Sequence, residues 1–125
     1  MTIDYLGHSG FLAETAEALL LFDYYRGGLA PLQEKPPDKP LFVFVSHAHP
    51  DHFNPEIFSL AAGQRPVRYI LSFDLKGDPA AAGRADVLFT EADAAYEVPG
   101  LGTVETLRST DEGVAFLVKT PGATL

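Results

Sequence analysis

The sequence predicts a single α/β domain: a mixed, mostly antiparallel sheet carrying one or two helices on one face. Three observations predict it. At 125 residues the chain supports one hydrophobic core and not two. About nine short runs rich in β-branched and aromatic residues, bounded by Gly, Pro and Asp, stand against one convincing helical segment. Two of those runs, residues 18–22 and 41–45, are continuously apolar, as strands covered on both faces are.

Residues 2–6, 9–14 and 17–23 read as three short strands with tight connections, an antiparallel meander. The first alternates, the second follows the Gly7-His8 turn, and the third ends at Asp23. Residues 24–40 carry Tyr24-Tyr25-Arg26-Gly27-Gly28 and then Pro31, Pro36, Pro37 and Pro40. A stretch this long without periodicity either borders a pocket or covers a sheet edge. Leu41-Phe42-Val43-Phe44-Val45 is then a buried strand, closed by polar residues.

Beyond that strand the segment 46–52 reads Ser-His-Ala-His-Pro-Asp-His and holds three of the four histidines in the chain. Asn54 caps a helix predicted over 55–62, with Pro55 at its first position and Glu56 at the positive end of its dipole. Ile57, Phe58, Leu60 and Ala61 give that helix an apolar side, and Gly63 stops it. A strand follows over 67–71, a helical turn over 78–83 and another strand over 85–90. Residues 96–98, 102–107 and 114–119 read as an antiparallel series with Gly and Pro at its corners.

The chemistry concentrates in 46–52. His47 and His49 are two apart, so in extended chain their imidazoles point the same way. Pro50 fixes its own φ and discourages helix at His49. Asp51 and His52 offer a second pair of donors as the chain turns. Imidazole nitrogen and carboxylate oxygen suit zinc, manganese or iron better than calcium. With no cysteine in the chain, a sulfur-rich structural site is excluded, which favours an open, catalytic kind of site. The plainer alternative is a solvated, histidine-rich turn.

His47-x-His49-x-Asp51-His52 after a hydrophobic strand resembles the signature of the metallo-β-lactamase fold superfamily of metal-dependent hydrolases. The resemblance implies half of an αβ/βα sandwich, one or two divalent ions with zinc first and manganese or iron behind it, and a division of ligands. His47 and His49 would hold the first metal, and Asp51 and His52 the second. It also implies that Asp23, ending an early strand, orients the metal-binding loop by hydrogen-bonding a ligating histidine, which fixes its tautomer; the alternative is a strand-capping surface aspartate. The Gly7-His8 opening is similar to that of the ascorbate-lactonase-like group, with His8 as substrate contact, auxiliary ligand or surface turn residue.

The match departs in two places. The superfamily completes its first metal with a later histidine, and this chain has none after His52. The corresponding place is Ser109-Thr110-Asp111-Glu112-Gly113; some members of the superfamily carry a similar run there. Asp111 is then an auxiliary oxygen ligand or part of an acidic turn between strands. The family pattern next expects a strand bearing His-Ala-Gly-Asp, where this chain runs Thr120-Pro121-Gly122-Ala123-Thr124-Leu125. The expectation is therefore a metallo-β-lactamase-like domain over 1–125 that represents an N-terminal half. It is a homo-oligomer or is missing its C-terminal half, because an uncovered apolar sheet face invites association.

A net charge of −8, with nine Lys and Arg in no stripe, argues against a nucleic-acid surface. No apolar run approaches membrane-spanning length, and the start lacks the basic residues of a signal peptide, so no membrane partner and a cytoplasmic address are expected. The function these residues and the resemblance imply is metal-dependent hydrolysis of a small-molecule ester, lactone, amide or phosphoester by activated water, with Asp51 orienting the water or taking its proton. The alternative is a catalytically incomplete metal-binding or assembly half-domain that needs a partner chain.

Overall fold

A computed structural model describes residues 2–7, 10–15, 18–22, 39–46, 67–75, 86–99, 101–108, 114–120 and 123–124. They form ten strands: β1 (Thr2–Gly7), β2 (Gly10–Glu14), β3 (Leu19–Phe22), β4 (Leu41–Val45), β5 (Val67–Ser72), β6 (Val87–Thr90), β7 (Ala94–Val98), β8 (Gly102–Arg108), β9 (Val114–Thr120) and β10 (Ala123–Thr124). A short 3₁₀ turn, Phe73–Leu75, follows β5 and has no counterpart in the sequence prediction.

Connection length sorts the pairings. Gly7 pairs with Gly10, so β1 and β2 are joined by two residues and run antiparallel, as β2 and β3 do. Residues 23–40 and 46–66 separate β3 from β4 and β4 from β5, enough chain for crossovers, and β3, β4, β5 and β6 run parallel. These six strands make one sheet in chain order, and β7 to β10 make a second, antiparallel sheet.

The two sheets pack face to face, which differs from the one-sheet expectation. Alternation along the strands divides the core. Leu19, Leu21, Leu41, Val43, Val45, Tyr69 and Leu71 bury on one side of the first sheet, with Leu75 from the 3₁₀ turn. Leu20, Phe22, Phe42, Phe44 and Ile70 bury on the other side, against Val98, Val104 and Val118 of the second sheet. The second sheet follows the same rule: Val98 and Val104 point inward while Ala95, Glu97 and Lys119 are exposed. That period marks half-buried strands, but it does not say which sheet they join.

Every residue of β3 and β4 is therefore buried on whichever face it points to. No uncovered apolar face remains on these two strands. The helix predicted over 55–62 and the helical turn over 78–83 lie outside the described residues. No helix among the described residues is long and apolar enough to cross a membrane.

Lys39 locks the entry to β4. Its Nζ donates to Glu14 Oε2 at 2.7 Å and to Thr15 O at 2.6 Å, while Leu19 N–H donates to Pro40 O at 2.9 Å. The amino ends of β3 and β4 are thus pinned together, which sets the register Leu19↔Leu41 that runs through to Phe22↔Phe44.

Candidate functional site

Because β3, β4, β5 and β6 are parallel, their carboxyl ends (Phe22, Val45, Ser72 and Thr90) lie along one edge of the sheet. The antiparallel β1–β2 turn comes to the same edge, since Phe11, one residue beyond Gly10, pairs with Phe22. In open sheets with parallel strands, ligands bind outside these carboxyl ends, where the loops that leave the strands converge.

The second sheet brings one of its connections to the same end. Phe44 meets Phe116 of β9 edge-on, with ring centroids 5.3 Å apart. Thr106, which pairs with Phe116 across β8 and β9, donates from Oγ1 to Glu91 O, the residue just past the carboxyl end of β6. Arg108 and Val114 form the last pair of that hairpin, so residues 109–113 join the two strands beyond this row.

The predicted site residues His8, Asp23, His47, His49, Asp51, His52 and Asp111 all lie outside the described residues. What the structure fixes is where their segments attach. His8 stands between Gly7 and Gly10, Asp23 follows Phe22, His47 follows Ser46 at the end of β4, and Asp111 lies between Arg108 and Val114. All four attachments are at the one edge. Among the described residues there is no group of three or more His, Cys, Asp or Glu able to hold a metal. A donor set at this edge would have to come from the connections.

Beneath them the edge is apolar and then hydroxylated. Phe22 stacks on Phe44 with centroids 4.7 Å apart, and the Phe44 ring is fully buried. One step outward, Ser46 is half-buried, Ser72 is fully buried, and Thr90, paired with Ser72, is fully buried and donates to Leu71 O at 3.1 Å. Ser72 Oγ is buried with no hydrogen-bond partner among the described residues. An unmade hydrogen bond at a buried hydroxyl costs about 1–3 kcal/mol, and native structures keep few of them. Sequence reasoning passed over Ser72. The available signal was a small polar residue ending a strand whose preceding positions, Tyr69-Ile70-Leu71, are apolar.

A divalent cation fits this edge on the chemistry of the donors that the attached segments carry. Three imidazoles and a carboxylate from one short segment match the borderline ligand preference of zinc, manganese or iron.

Comparison with known proteins agrees with this geometry. The profile of the β-lactamase superfamily domain matches residues 2–111. A UPF0173 metal-dependent hydrolase of Desulforamulus reducens is 39% identical over 57 residues, covering 46% of this chain and 25% of that protein. Among solved structures, Igni18, a metallo hydrolase from the hyperthermophilic archaeon Ignicoccus hospitalis KIN4/I, superposes with a TM-score of 0.67 at 19% identity, over 98% of this chain and 57% of its own. The CmlA β-hydroxylase E377D mutant superposes with a TM-score of 0.64 at 14% identity, over 98% of this chain and 28% of its own. At these identities the two structures speak for the fold alone. The chain spans about a quarter of the length of the curated relative it matches.

Proposed function

Because the chain belongs to the β-lactamase superfamily, matched over residues 2–111, we propose that it carries the metal-binding segment of a hydrolase of small molecules. His47 and His49 hold one divalent cation through imidazole nitrogens, and Asp51 and His52 hold or support a second. Zinc is the first choice, with manganese or iron behind it. Such a cation would supply Lewis acidity and lower the pKa of bound water to near 7.

The observation that carries this reading is the position of the motif. It leaves β4, whose neighbours β3 and β5 are both parallel to it, at the carboxyl edge toward which the β1–β2 turn and the β8–β9 connection also come. Each remaining role falls to the chain's own residues. The Asp51 carboxylate orients the attacking water or takes its proton. Asp23 accepts a hydrogen bond from a ligating imidazole and so fixes which ring nitrogen faces the cation. His8 and Asp111 contribute from flanking connections, as substrate contact or auxiliary donor. The buried aromatic floor of Phe22 and Phe44 closes the core beneath the site.

Hydrolysis is preferred over the other chemistry the fold houses. The relative at 39% identity is a metal-dependent hydrolase, whereas the β-hydroxylase shares 14% identity and so only the fold. The bond cleaved belongs to the class of esters, lactones, amides and phosphoesters. The test is turnover of a p-nitrophenyl ester and of bis(p-nitrophenyl) phosphate by the chain loaded with zinc or manganese. Cleavage that disappears in His49→Ala supports the hydrolase. Metal uptake with no cleavage of either substrate would instead place the chain with binding or assembly half-domains that need a partner chain.

A further inference from the structure

We draw no further inference here: the strongest candidate, the exposed apolar side chains of Phe73, just past β5, and Leu107, near the end of β8, carries nothing because nothing in the structure shows what covers them.

Discussion

Phe44 of β4 and Phe116 of β9 meet edge to face across the two sheets, with ring centroids 5.3 Å apart. Phe44 also stacks on Phe22 of β3 at 4.7 Å. One buried ring therefore ties both sheets together directly below the edge from which the candidate metal segment leaves. Aromatic pairs of this geometry add about 0.5–1.5 kcal/mol to the apolar burial.

Phe44→Ala is expected to destabilise the chain by about 3–5 kcal/mol, and Phe44→Leu by less, because leucine refills part of the volume. Urea unfolding read by circular dichroism measures both. A Phe44→Ala cost below that of Phe44→Leu would contradict a packed aromatic junction at this point.

Thr106 binds the second sheet to the end of the first. Its Oγ1 donates to Glu91 O, lies 3.3 Å from Ala94 O and accepts from Ala94 N–H at 3.0 Å. Thr106→Val keeps the shape and leaves Ala94 N–H without this acceptor, a cost of about 1–3 kcal/mol. Amide hydrogen exchange at Ala94 should speed up in that variant. Unchanged exchange would mean that the hydroxyl is not what protects it.

The Lys39–Glu14 pair predicts a smaller effect. The contact is 2.7 Å with side chains about one-fifth exposed, and Lys39 also donates to Thr15 O. Lys39→Met retains the aliphatic stem and removes both bonds, for an expected loss of about 1 kcal/mol. That loss should shrink in high salt when variant and wild type are compared by thermal melting. A salt-independent difference would point to the stem and not the charge.

Much of this architecture was legible because local patterns agree with it. The continuous runs 18–22 and 41–45 announced strands covered on both faces, and β3 and β4 are buried throughout. The short Gly7–Gly10 connection announced the antiparallel start, and Gly and Pro marked the corners of β7 to β9. What the pattern could not carry was partition. Val98, Val104 and Val118 alternate as any half-buried strands do, and only tertiary packing against Phe42, Phe44 and Ile70 assigns them to a separate sheet.

The candidate site divides in the same way. Residue type and spacing singled out His47, His49, Asp51 and His52, and the long connections before and after β4 are what make its carboxyl end an edge shared with β3 and β5. Ser72 escaped notice because a lone serine closing a strand has no periodicity. Its burial without a described partner is a property of three dimensions.

If residues 47–52 supply the donors, cation binding should also stabilise the fold, since a ligand that binds only the native state raises the melting temperature with its concentration. Zinc added to chelator-treated chain should raise it, and excess chelator should return it to the starting value. Calcium, which prefers oxygen donors alone, should shift it less. Equal shifts with zinc and calcium would favour nonspecific binding to the acidic surface of a chain with net charge −8.

The most direct test is metal content after exhaustive dialysis against trace zinc, measured by mass spectrometry on wild type, His47→Ala and His49→Ala. One or two equivalents retained by wild type, falling by about 100-fold or more in affinity for either variant, is the predicted result. Wild type that retains no metal, or variants that retain as much as wild type, would contradict a divalent-cation centre at the end of β4.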